Sequence, residues 1–228
     1  MSRTFADEAI VLKTYNVGEA DRFCLLLTRK HGRIAARAAG VRRTISKRGA
    51  ALLPLRRISV EYTSGRTGAF TITQASCIDP YSECATCLHA FSCAEQGMEI
   101  VMNLIQEGEP VESVYDLTRD FLSRCSTAHT PSLLPLFTLK LLARLGSFPD
   151  AEDAAALPMD MTFRKGLSAG QRDFLRTVPH SAISNAPVCD AALLPELERF
   201  TRYLLGSQLG GSLKSPLVVF APDGVPTR

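Results

Sequence analysis

The apolar residues of this chain follow two periods, and the change between them near residue 80 limits the possible folds more than any other feature. Up to residue 78 they alternate in short runs, Glu8 to Tyr15, Arg22 to Thr28, Arg33 to Gly40, Leu55 to Thr63 and Ala69 to Cys77, separated by turn residues. Five strands in so short a stretch predict a small barrel. Lys30-His31-Gly32 suits a tight hairpin, since Gly accepts a positive φ, and residues 64–68 can join the last two strands in the same way. In the third strand a period of two puts Ile34, Ala36 and Ala38 on one face and Arg33, Ala35 and Arg37 on the other. Ile58, Val60 and Tyr62, then Phe70 and Ile72, repeat this pattern against outer faces that are polar without being basic.

From Pro80 onward the period is helical. Leu88, Phe91, Met98, Val101, Met102 and Ile105 predict the apolar face of a first helix, and Val114, Leu117, Phe121 and Leu122 that of a second, from Val111 to Cys125. Residues 133–145 are apolar nearly all round, the pattern of a helix buried at a domain centre, and Gly146 and Pro149 stop it. Ser168-Ala169-Gly170-Gln171 has capping-box spacing ahead of a short helix through Arg176. Asp190 can cap a longer helix carrying Leu193, Leu197, Phe200 and Leu204. The expected class is therefore α+β in two domains, a basic barrel over residues 1–79 and a helical domain over 80–228. The second divides into a bundle core (80–148), a connector (149–166) and C-terminal helices with an extended tail (167–228).

Charge singles out the barrel. Of 26 Lys and Arg and 23 Asp and Glu in 228 residues, the first 60 residues hold 13 basic and four acidic, leaving 13 basic against 19 acidic in the rest. A concentration of cations is suited to phosphate polymers, whose condensed counterions are released as Lys and Arg replace them. A solvated basic face with no ligand would have the same composition. The candidate contacts are Arg29, Lys30, Arg33, Arg37, Arg42, Arg43, Lys47 and Arg48, the last four within residues 41–49, a stretch with no acid that reads as a mobile basic arm. Tyr15 and Tyr62 are the chief candidates for stacking on bases, and the absence of tryptophan predicts that stacking contributes less than in dedicated single-strand binders.

Catalysis has no visible home. A Walker A loop, a GxGxxG turn after a strand, HExxH and GxSxG are all absent, and His31, His89, His129 and His180 gather around no nucleophile. The reading is of a protein that is not an enzyme and needs no cofactor. Seven scattered cysteines in a chain this long read as reduced thiols. Cys84, Cys87, His89 and Cys93 have spacing that could reach one zinc, but no second Cys pair accompanies them, and ordinary buried cysteines are the leading reading. No apolar run is long enough to span a bilayer, and the first residues lack the layout of a signal peptide, so a cytoplasmic location is expected.

Several blocks in order carry a resemblance. Glu8-Ala9-Ile10-Val11-Leu12-Lys13, Gly18-Glu19-Ala20-Asp21-Arg22, His31-Gly32-Arg33, Ala39-Gly40-Val41-Arg42-Arg43 and Gly49-Ala50-Ala51-Leu52-Leu53-Pro54 are followed by Phe137-Thr138-Leu139-Lys140-Leu141-Leu142-Ala143-Arg144-Leu145-Gly146 and Leu213-Lys214-Ser215. Together they resemble RecO, the bacterial recombination mediators of the RecFOR pathway. The resemblance implies an OB-fold followed by a helical domain, and binding of single- and double-stranded DNA. It further implies annealing without ATP, partnership with RecR, contact with the C-terminal tail of single-stranded DNA-binding protein, recombinase loading and association with the nucleoid. The chain departs from the pattern in two places. The paired Cys-x-x-Cys motifs of many members are absent after the central helix, where no cysteine occurs until Cys189, and Leu134-Pro135-Leu136 replaces the basic residues often found before Phe137. Lys140 and Arg144, four apart on a helix, remain as candidates to receive an acidic tail. The same basic barrel would also serve an RNA-binding or ribosome-associated OB protein.

Overall fold

In the computed structural model, strand β1 (Arg3–Val17) is shared between two neighbours. Its first half runs antiparallel to β4 (Arg57–Ser64), from Arg3 opposite Ser64 to Ile10 opposite Arg57. Its second half runs antiparallel to β2 (Asp21–Thr28), from Ala9 opposite Thr28 to Val17 opposite Asp21. The register slips between Val11 and Lys13, a bulge that bends the strand from one partner to the other. β3 (Gly32–Ala38) pairs with β2, and β5 (Phe70–Asp79) with β4. A short parallel contact, Ala36 with Phe70 and Arg37 with Thr71, closes the barrel in the order β1-β2-β3-β5-β4. This is a five-stranded barrel of OB type. The structure describes residues 3–43, 46–65, 68–127, 130–147, 169–178, 181–183, 189 and 192–209.

Alternation fills the barrel as the sequence predicts. Ala9 and Val11, Cys24 and Leu26, Ile34, Ala36 and Ala38, Ile58, Val60 and Tyr62, and Ile72 form one buried cluster, joined by Val41, Ala51 and Leu52. One end is packed by rings: Phe5 stacks on Tyr62 at 5.3 Å between centroids and meets Phe70 and His31 edge-on. The Tyr62 hydroxyl lies 2.9 Å from His31 Nδ1, which lies 3.1 Å from Asp7 Oδ2, and burial followed by the Asp7 charge pushes the Tyr62 phenol up to about 12. Tyr62 is thus a core residue with no exposure, and the expectation that it offers a ring to bases is corrected. The β2–β3 turn depends on Gly32, whose φ is +68° and whose missing Cβ would fall 2.0 Å from the Glu109 carbonyl oxygen. Only glycine meets both conditions.

The chain forms two compact units, Met1–Thr127 and Ala128–Arg228, and the change of period falls inside the first. Beyond the barrel, a single 3₁₀ turn (Ser82–Ala85) leads into α2 (Leu88–Leu104) and α3 (Glu112–Thr127); α1 (Lys47–Ala51) lies between β3 and β4. α2 buries Ala90, Ala94, Gly97, Met98 and Val101. A Cβ on Gly97 would lie 2.3 Å from Phe121 Cε1, so the absent side chain is what lets α3 approach. The predicted face of this helix is corrected at its start, where Leu88 is 71% and Phe91 43% exposed. Small residues allow the closest backbone approach, so the stripe through Ala90, Ala94 and Gly97 faces inward and turns the larger side chains out.

In the second unit α4 (Leu133–Arg144) is buried continuously from Leu133 to Leu142, as a helix apolar on every side requires. α5 (Ala169–Thr177) and α6 (Leu194–Leu209) accompany it, α6 burying Leu197, Phe200, Leu204 and Leu205. The expected connector at 149–166, the Asp190 cap and the tail after 209 lie outside the described residues. Among the described residues no helix is long and apolar enough to cross a membrane.

Candidate nucleic-acid interface

The outer face of β1, β2 and β3 carries a row set by register. Tyr15 stands opposite Phe23, and Phe23 opposite Arg37, while one step along Lys13 stands opposite Leu25 and Leu25 opposite Ala35. Neighbours in such a row lie about 5 Å apart, within reach of one nucleotide. Tyr15 is 47% and Phe23 36% exposed, and the Arg37 side chain is 61% exposed. Lys13 Nζ sits 5.5 Å from the Tyr15 ring centroid, a cation over an aromatic face. The sequence pointed to Tyr15 but not to Phe23 or Lys13, because β2 reads Phe23-Cys24-Leu25-Leu26-Leu27 and a continuous apolar run does not mark its outer face.

Asp21 organises the end of this row. Its carboxylate accepts from the Gly40 amide at 2.8 Å and from Arg37 Nε at 2.8 Å, with Arg37 Nη2 in closer contact still. The Gly40 bond, then the Arg37 bond, hold the Asp21 carboxyl below the usual range.

The basic stretch 41–49 departs most from the expected mobile arm. At its described residues, 41–43 and 46–49, and in residues 50–56 after them, guanidinium groups and backbone carbonyls are joined. Arg22 Nη1 donates to the Gly49 and Leu52 carbonyls at 2.9 Å each, and Arg42 Nη1 to that of Gly18 at 2.8 Å. Arg48 donates to the Thr73 carbonyl at 2.9 Å and the Ala39 carbonyl at 3.2 Å, and Arg56 to that of Ala50 at 2.6 Å. Val41 and Leu52 are buried beneath. A guanidinium presents five donors in a fixed fork and serves a carbonyl as readily as a phosphate. Because these acceptors are neutral, the positive charges remain to be felt in solution.

The eight candidate cations are therefore divided. Arg37, Arg42 and Arg43 lie at the end of the β2–β3 pair next to the Gly18 turn, with Arg42 and Arg43 exposed. Arg48 is half-buried by its carbonyl bonds, and Lys47 opens α1. Arg29, Lys30 and Arg33 lie at the hairpin end, four residues or more from Arg37 and thus about 13 Å away along the strand. Arg29 is occupied there, with Nε 2.8 Å from Glu112 Oε1, Nη2 3.5 Å from Asp116 Oδ2 and its carbon 6.0 Å from the Tyr115 ring. Lys30 is exposed, and half-buried Arg33 accepts the Gly108 amide on its carbonyl at 2.9 Å.

In the second unit Lys140 has no exposure. Its ammonium donates to the Val178 carbonyl and to the carbonyl and hydroxyl oxygens of Ser181, at 2.7 and 2.8 Å for the latter two. Burial, then the neighbouring Arg144, pull it down to about 8. It presents nothing to solvent, and the expected exposed Lys140–Arg144 pair is reduced to a half-buried Arg144. Among the described residues no group of three or more His, Cys, Asp or Glu could hold a metal ion. Aromatic faces among cations offer stacking and charge.

Comparisons with known proteins bear on residues 1–157. A family model described as Recombination protein O N terminal matches residues 1–81, and one described as Recombination protein O C terminal matches residues 86–157. The DNA repair protein RecO of Cutibacterium acnes is 34% identical over 158 residues, covering 66% of this chain and 64% of that protein. That of Streptomyces griseus is 38% identical over 165 residues, 68% and 66% of the two chains, and that of Bifidobacterium adolescentis 37% over 150, 64% and 60%. The matches span just under two thirds of these relatives' length.

Proposed function

This chain belongs to the RecO family, and we propose that it acts in DNA repair and recombination by binding single- and double-stranded DNA without sequence preference and annealing complementary strands without ATP. One observation carries the reading: the exposed Tyr15–Phe23–Arg37 row beside Lys13, Arg42 and Arg43. Bases stack on the rings, whereas the cations contact phosphates and read no base edges, which makes binding indifferent to sequence. With about six phosphates engaged, the logarithm of affinity for single strands should fall with that of salt at a slope near −4. Two rings and a diffuse field hold a strand loosely enough to release it once paired, as annealing requires. Arg29 contributes less charge, because Glu112 and Asp116 already neutralise it, and so does Arg37, which Asp21 pairs, leaving Lys13, Arg42 and Arg43 as the principal cations beside the rings.

Family membership supports RecR and the C-terminal tail of single-stranded DNA-binding protein as partners, and recombinase loading in the cytoplasm at the nucleoid as the setting. The test mixes complementary labelled strands, coated with their cognate single-stranded DNA-binding protein, and follows duplex formation without ATP. Acceleration by the protein, lost on Arg42→Glu with Arg43→Glu, is the expected result. DNA binding without acceleration overturns the annealing reading, and preference for RNA of matched length would favour the RNA-binding alternative.

A further inference from the structure

The Sγ atoms of Cys93 in α2 and Cys125 in α3 lie 3.8 Å apart, with the Cys125 thiol donating to the Cys93 sulfur. Cys125 is 1% exposed and Cys93 half-buried, so a small oxidant meets Cys93 first. Three other thiols have different surroundings. Cys84 Sγ is 3.2 Å from Ser126 Oγ, Cys24 is in the barrel core, and Cys77 is exposed on β5. The hydrogen bond to Cys93, then burial, hold the Cys125 thiol far up.

We propose that Cys93 and Cys125 are a peroxide-reactive dithiol that closes to a disulfide joining α2 to α3. Cys93 sulfur attacks one oxygen of hydrogen peroxide; the O–O bond breaks, the departing hydroxide takes the thiol proton as water, and Cys93 becomes a sulfenic acid. Cys125 sulfur then attacks Cys93 sulfur. The S–S bond forms, the S–O bond breaks, and the Cys125 proton leaves with the hydroxyl as a second water. Two thiols lose two electrons in total, and the peroxide receives them. The sulfurs must close from van der Waals contact to about 2.05 Å. The bond would tie the helices together beside the Gly97–Phe121 contact and close the loop containing the Glu112 and Asp116 partners of Arg29.

The test treats the reduced full-length protein with hydrogen peroxide, blocks remaining thiols with N-ethylmaleimide and maps unreduced tryptic peptides by mass spectrometry. The expected product is a Cys93–Cys125 cross-linked peptide, lighter by two hydrogens than its parts, reversed by dithiothreitol and absent from Cys93→Ser. In Cys125→Ser, dimedone should label Cys93 at the sulfenic stage. If this variant does not fold, the wild-type map and Cys93→Ser, altered only at a half-buried site, decide the matter. Full alkylation of Cys93 and Cys125 at a peroxide dose that oxidises exposed Cys77, or pairing of Cys93 with Cys84 or Cys87, overturns the proposal.

Discussion

Replacing Phe23 by alanine removes one ring of the Tyr15–Phe23 pair and leaves every cation in place. Because Phe23 is 36% exposed, about two thirds of its side chain is covered, and truncation there should cost folding stability about 1–2 kcal/mol. Its effect on DNA is separate. One base stacked on one ring is worth about 1–3 kcal/mol, or roughly 5- to 150-fold in Kd. The lower end is expected, since only about a third of the ring is open. Adding Tyr15→Ala removes the other ring and should weaken binding by a similar factor again. Neither change removes a counterion-releasing group, so the salt slope should stay near −4, whereas Arg42→Ala with Arg43→Ala should flatten it by about 1.4. Fluorescence anisotropy of a labelled pyrimidine oligonucleotide, titrated at several salt concentrations, reads intercept and slope separately. If Phe23→Ala with Tyr15→Ala remains folded at the assay temperature and binds within twofold of the parent at every salt concentration, the row is not the binding face.

Gly97→Ala forces a methyl to 2.3 Å from a Phe121 ring that has no exposure, and should cost about 1–3 kcal/mol despite alanine's better helix propensity; an unchanged melting temperature would mean the helices pack otherwise. Arg48→Ala leaves the Thr73 and Ala39 carbonyls without this donor, and should raise amide hydrogen exchange over residues 46–52 while the barrel core stays protected. For Lys140, folding lowers the value from 10.5 to about 8, so between those limits the unfolded chain holds a proton that the folded chain has released, and stability contributed here rises with pH. Chemical denaturation of Lys140→Met against the parent should show a stability difference that changes on the order of 3 kcal/mol across that interval, while shared titrations such as Cys24 and Tyr62 cancel. A pH-independent difference would mean that the buried amine does not titrate there.

β3 was legible in the sequence because its two faces differ in chemistry: Ile34, Ala36 and Ala38 can only point in, and Arg33 and Arg37 can only point out. β2 was not, since Leu27 is buried on the same parity as exposed Phe23, so one face of the strand passes from open to covered along its length without a change of residue type. α2 was legible as a helix but its contact face was not. Apolar size favoured Leu88 and Phe91, whereas closeness of approach selected Ala90, Ala94 and Gly97. Arginine-rich residues 41–56 showed charge without acceptors. Arg22 finds its carbonyls 27 and 30 residues away, and Arg48 finds that of Thr73 25 residues away, separations at which residue type does not distinguish a carbonyl clamp from a phosphate contact. Lys140 failed as a surface candidate for a related reason: helical spacing assigns a face to a residue, but a helix buried on all sides has no outer face.

The divided pairing of β1 also orders events during synthesis. Its second half meets β2 across a short turn, Val17 opposite Asp21, and that hairpin can form as soon as both strands have left the ribosome. Its first half waits for β4, because Arg3 pairs with Ser64, a strand that emerges about 60 residues later, or roughly 3–12 s at ordinary rates of translation. During that interval residues 3–8 form an open strand edge, the kind that seeds association between nascent chains. Asp7, a carboxylate that the finished barrel buries, lies along it, and a charge on the side of the strand meant for the interior discourages pairing with a copy of itself until Ser64 arrives.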